Sequence, residues 1–128
     1  MAWKFERGDG RYKHRWTKDE AGFVQHGSES IGKCHSSITQ EVAQGMLNQG
    51  VPYKAPGATT VEHINTTYRG VIYEAAPTQH GVSFHGYPWR GGQGRPALPS
   101  SVLRTLRDQA QQQCYLKEFE QWLKLHSA

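Results

Sequence analysis

The residues best suited to chemistry lie in two neighbouring stretches, Tyr68-Arg69-Gly70-Val71-Ile72-Tyr73-Glu74 and Ser83-Phe84-His85-Gly86-Tyr87-Pro88-Trp89-Arg90. Both read as strands, and joined as an antiparallel hairpin they bring His85 close to Glu74 or Tyr73. His85 and Tyr87 are two residues apart and share one face of their strand. A histidine beside a tyrosine, a glutamate and arginines is the inventory for moving protons at a phosphodiester without a metal. One group removes a hydroxyl proton, cations hold the charge that builds on phosphorus, and an acid protonates the leaving oxygen. In this reading His85, Glu74 and Tyr87 carry the proton chemistry. Arg69, Arg90 and Arg95 hold phosphate, and Tyr87 and Trp89 hold a base by stacking.

A second candidate is the turn Gly32-Lys33-Cys34-His35-Ser36-Ser37, just ahead of an expected helix. Helix N-termini present unpaired N–H groups and the positive end of the dipole, so anions collect there. Lys33 adds charge, and His35 is placed to exchange protons with Cys34. The remaining histidines and the two cysteines show no ligand spacing. No metal site or cofactor is expected. Phosphate-loop, nucleophile-elbow, Cys-x-x-Cys and His-Glu-x-x-His patterns are all absent.

The elements that must position these residues follow from periodicity. Trp3–Glu6, Tyr12–Trp16 and Phe23–His26 alternate apolar with polar and are separated by turn residues, so an N-terminal β-meander is expected. Gly27–His35 reads as a linking loop. Ser37 with Gln40 fits a capping box for a central helix whose face is Ile38, Val42, Met46 and Leu47, stopping at Gly50. Gly45 inside that helix suggests close packing against a sheet. Val51–Thr60 is a Pro/Gly connector. Strands are expected over Thr60–Ile64, Gly70–Ala76 and Gly81–Tyr87, with turns at Asn65–Arg69 and Pro77–His80. Both faces of the middle strand are apolar, which places it near the sheet centre. After a Gly/Pro-rich loop over Pro88–Pro99, Ser100 or Ser101 caps a helix with Val102, Leu103, Leu106 and Ala110 on one side. A break at Gln113-Cys114 leads to a last helix with Tyr115, Leu116, Phe119, Trp122 and Leu123 as its face.

The fold class expected is therefore α+β. It is one domain with an N-terminal meander, one central helix, antiparallel strands and a C-terminal helical pair. At 128 residues there is room for one core. Hydrophobic residues make up 36%, and four Trp, six Tyr and four Phe supply much of the area available for burial. The chain lacks an apolar run of membrane-spanning length and a signal peptide, so no membrane association and a cytoplasmic location are expected. There Cys34 and Cys114 are expected to be reduced and buried.

The net charge of +4 is concentrated in two blocks. Residues 1–18 carry Lys4, Arg7, Arg11, Lys13, Arg15 and Lys18 against Glu6 and Asp9. Residues 75–107 carry Arg90, Arg95, Arg104 and Arg107 with no acid. Gathered in space they would attract phosphates or an acidic protein partner. A helix followed by an antiparallel sheet with a basic face is similar in plan to the barnase-like ribonuclease toxins, a likeness of fold with no shared motif. The leading expectation is a domain that binds or cleaves RNA. Its rivals are a non-catalytic interaction module (inhibitor, adaptor or immunity-type protein) and an enzyme acting on a small anionic ligand, such as a nucleotide, at the Gly32–Ser37 turn. Convergence of His85, Tyr87, Arg69 and that turn on one cleft is the observation that separates catalysis from binding.

Overall fold

Two positive-φ residues, Arg69 (φ 52) and Gly70 (φ 85), fold the chain back on itself between β5 (His63–Tyr68) and β6 (Val71–Gln79). A two-residue loop with both residues at positive φ is the hairpin turn whose twist matches that of paired strands. It sets the register Tyr68↔Val71, Thr66↔Tyr73, Asn65↔Glu74 and Ile64↔Ala75. A five-stranded sheet grows around this hairpin in the computed structural model, which describes residues 4–5, 21–26, 29–33, 38–54, 57, 59, 61–79, 83–91 and 98–126.

The strand order is β1-β7-β6-β5-β4, with β1 (Lys4–Phe5), β4 (Val51–Tyr53) and β7 (Ser83–Pro88) completing the sheet. β4 to β7 pair antiparallel, and β1 pairs parallel with β7. β6 occupies the centre, as its two apolar faces require. β2 (Gly22–His26) and β3 (Glu29–Lys33) form a separate antiparallel pair. The expected first and third strands of the meander thus lie in different sheets, and the second, Tyr12–Trp16, falls outside the described residues. Glu29–Lys33 is strand rather than loop, and Val51–Tyr53 is an edge strand rather than connector. The expected turn over Asn65–Arg69 shrinks to Arg69-Gly70.

α1 (Gln40–Gln49) lies on one sheet face. Its N-cap is Thr39, whose hydroxyl accepts from the Val42 N–H at 3.2 Å, in place of the expected Ser37 and Gln40 box. Ile38, Ala43 and Leu47 are buried against Tyr73, Ile64, Ala75 and Phe84. Gly45 is exposed with nothing within 4 Å of where its Cβ would stand, so close packing does not explain it. Gly50 does have such a reason: a Cβ there would run into Ile64 as the chain enters β4.

α2 (Ser100–Gln112) and α3 (Leu116–His126) cover the opposite face, α2 against β4 and β5 and α3 against β6. Their core joins Val102, Leu106, Ala110, Phe119 and Trp122 to Ile72 and Trp89. Pro99 is the N-cap of α2 and makes no side-chain bond, so neither Ser100 nor Ser101 caps it. The break between the helices falls where the sequence places it. Tyr115 N–H donates to Ala110 C=O at 2.8 Å and Cys114 N–H to Gln111 C=O at 3.1 Å, the paired bonds of a Schellman stop. Cys114 holds the left-handed position (φ 67) and is exposed, not buried, because that residue turns outward from the helix end.

Candidate functional site

The register between β6 and β7 assembles the site. Glu74 lies directly opposite Tyr87, and Ala76 directly opposite His85. Cross-strand partners project to the same face, and so do residues two apart in a strand. Glu74, Ala76, His85 and Tyr87 therefore share the face on which α2 and α3 pack. The helices sit over β4, β5 and β6, and β3 contacts β7. Asn65, Thr67 and Glu74 are buried, whereas His85 and Tyr87 on β7 are half-exposed.

Side-chain hydrogen bonds among the described residues organise this patch. The Tyr87 hydroxyl donates to Glu74 Oε2 at 2.6 Å, a short bond of the kind a carboxylate accepts. Thr78 Oγ1 lies 3.0 Å from His85 Nδ1. The register slips between Pro77 and Gln79, and the bulge supplies Thr78 as the extra residue beside His85. With Nδ1 taken by Thr78, the proton on the second ring nitrogen is set by the direction of that bond. The His85 and Tyr87 rings lie 6.3 Å apart between centroids. Among the buried groups nearby, Asn65 Oδ1 and Ser83 Oγ have no hydrogen-bond partner among the described residues.

Among the described residues, Arg69 and Trp89 do not gather here. Arg69 sits at the hairpin tip with its guanidinium over the Tyr68 ring, 5.6 Å from the centroid. Five residues of β6 lie between that turn and the level of His85, a distance of about 20 Å at the rise of a strand. Trp89 is 3% exposed and belongs to the core, so its ring is closed to a base. Arg90 lies over the Phe23 ring at 4.5 Å. Arg107 pairs with Glu120 at 2.9 Å across the two helices, and Arg104 is exposed on α2. Lys33 ends β3 opposite Gly22, while His35, Arg95 and the rest of the Gly32–Ser37 turn lie outside the described residues.

Arg90 belongs to another cluster that sequence reasoning did not assemble. The His126 ring lies tilted against Trp122, with centroids 4.0 Å apart, and against Phe23 at 5.4 Å. The Trp122 indole N–H donates to the Trp89 carbonyl at 2.9 Å, and Gly91 N–H donates to the His126 carbonyl at 2.6 Å. Burial lowers the His126 pKa below its ordinary value, and the nearby Arg90 charge lowers it further. This cluster fastens the end of α3 to the strand exit after β7.

Sequence reasoning also passed over Tyr53, His63 and Thr78. Tyr53 and His63 are cross-strand partners on β4 and β5, stacked with centroids 5.0 Å apart and planes 13° apart. Among the described residues no three His, Cys, Asp or Glu side chains group as a metal site would need, and no helix is long and apolar enough to cross a membrane. No family model, curated protein or solved structure matches the chain.

Proposed function

We propose that the chain acts on RNA, cleaving it by metal-independent transesterification at the patch on β6 and β7. The observation that carries this reading is the pairing of a half-exposed, Thr78-anchored His85 with a Tyr87 hydroxyl bonded to Glu74 on the same face of the sheet. The chemistry needs one group to take the 2′-hydroxyl proton. The 2′-oxygen then bonds to the adjacent phosphorus, the bond from phosphorus to the 5′-oxygen breaks, and an acid protonates that leaving oxygen. The product is a 2′,3′-cyclic phosphate. His85 is exposed enough to meet substrate and serves as one of these groups. Glu74 is 4% exposed, so it acts through Tyr87, orienting and polarising the phenol at the substrate.

The test is cleavage of a labelled single-stranded RNA in chelator at low salt, with the cyclic phosphate as the diagnostic product. His85→Ala is expected to lower the rate by about 10²–10⁴-fold, the usual contribution of a proton-transferring side chain. A chain that neither cleaves RNA nor binds it at low salt would overturn the proposal.

One observation favours a different reading. Arg69 and Arg90 lie over the Tyr68 and Phe23 rings and Trp89 is in the core, which removes one expected stacking surface. A non-catalytic interaction module does not need it. Capture of one acidic protein partner that persists in His85→Ala, without RNA cleavage, would establish that alternative.

A further inference from the structure

We propose that His63 is the second proton-transferring residue of this site and that, with His85, it brackets a phosphate group above Ala76. The inference rests on the RNA reading and supplies what that reading lacks. Transesterification takes a proton at one oxygen and delivers one at another, so two exposed groups are wanted. Glu74 is buried, and Arg69 and Arg90 lie over the Tyr68 and Phe23 rings.

The register places His63. It opens β5 and is two residues from Asn65, so both project to one face. Asn65 lies opposite Glu74, and Glu74 opposite Tyr87, which makes this the face of His85. Continuing the pairing of Ile64 with Ala75 by one residue brings His63 level with Ala76, which is itself directly opposite His85. His63 and His85 therefore flank Ala76 across two strand spacings, about 10 Å from backbone to backbone. Ala76 contributes a single methyl group to the space between them.

Two rows cross this face, and in the row of Asn65, Glu74 and Tyr87 the last is half-exposed. Asn65 and Glu74 are buried, while Tyr53, His63, Ala76 and His85 are all half-exposed. Each imidazole is held by a neighbour on its own side: His63 is stacked on Tyr53, and His85 Nδ1 meets Thr78 Oγ1. An anion seated over Ala76 meets an imidazole on each side, and either ring is then placed to give or accept a proton at a phosphate substituent.

Inorganic phosphate and uridine 3′-monophosphate provide the direct probe, titrated into the full chain at low salt. Proton NMR of the two ring Cε1–H signals is expected to show both histidines shifting with one shared dissociation constant. His63→Gln should weaken phosphate binding at least about tenfold and lower RNA cleavage by about 10²–10⁴-fold. Ala76→Leu, which alters neither histidine, should abolish the response of both rings, with a native amide spectrum confirming the fold.

If phosphate moves only one ring, or neither, the proposal is overturned. It is also overturned if His63→Gln binds and cleaves like the parent while His85→Gln does not, a result that leaves the RNA reading standing. If the chain cleaves no RNA yet both rings report phosphate and Ala76→Leu silences them, the RNA reading falls and the two-histidine anion site remains.

Discussion

Replacing Gly70 with alanine tests the turn on which the whole site depends. Gly70 sits at φ +85, and a Cβ built on it would lie 2.5 Å from Glu118 Cβ, 2.9 Å from Phe119 N and 3.0 Å from Glu118 C. Two penalties follow. The left-handed conformation costs alanine about 1–2 kcal/mol. The contact is with backbone in the first turn of α3, which moves only if the helix shifts, and overpacking of that kind costs about 1–3 kcal/mol. Loss of freedom in the unfolded chain offsets about 0.4–1 kcal/mol. The net expectation is a destabilisation of about 2–4 kcal/mol, or about 8–16 °C in Tm for a chain of this size. Urea unfolding with an unchanged slope gives the free energy directly. Gly70→Asn separates the two causes, because asparagine tolerates the left-handed region but still carries the Cβ. It should recover only the conformational part. An alanine variant within about 0.5 kcal/mol of the parent, the range of an unremarkable surface substitution, would show that the hairpin tip does not abut α3.

Two further outcomes follow from the helical layer. Cys114→Gly should stabilise the chain by about 1 kcal/mol, since glycine takes the left-handed stop of the Schellman motif without the Cβ penalty; a lower urea midpoint would contradict that geometry. The depressed pKa of His126 makes stability pH-dependent: near and below 6.5 the unfolded chain binds more protons than the native one, so this contribution is complete above 6.5 and is lost as pH falls through the lowered native value. Stability measured from pH 7.5 to about 4.5 should therefore decline less steeply in His126→Gln than in the parent, and parallel curves would refute the assignment.

Much of the scaffold was legible because its signals are local. The two apolar faces of Val71–Ala76 announced a central strand, and the helical spacing of Phe119 and Trp122 announced their burial. The Gln113-Cys114 break was visible as an interruption of that spacing. Short elements were not legible. β4 is three residues with Pro52 in the middle, and it is a strand only because β5 pairs with it. Glu29–Lys33 contains serine and glycine, weak strand formers, and owes its conformation to pairing with β2. The polar run Asn65-Thr66-Thr67 looked like a turn for a similar reason. Its burial depends on distant partners: Thr67 N–H and Oγ1 both meet Gln109 Oε1 at 3.3 Å, and Gln109 Nε2 donates to the Gln49 carbonyl at 3.0 Å. No local pattern announces a glutamine 42 residues away.

That misplaced turn is also why the candidate site was half seen. His85, Tyr87 and Glu74 were found because they need only the β6–β7 pairing, and adjacent strands rich in aromatics suggest it. His63 needs the β5–β6 register. With a five-residue loop over Asn65–Arg69, Ile64 would pair with Gly70, and His63 would stand opposite Val71. The two-residue turn at Arg69-Gly70 moves its level to Ala76. A shift of five is odd, so it also exchanges the faces of β6 that His63 shares. One turn type thus decides whether two histidines lie on opposite sides of the sheet or on either side of one alanine. The site is for that reason a property of register more than of composition. A lengthened β5–β6 turn that preserves stability should uncouple His63 from His85 without altering either residue.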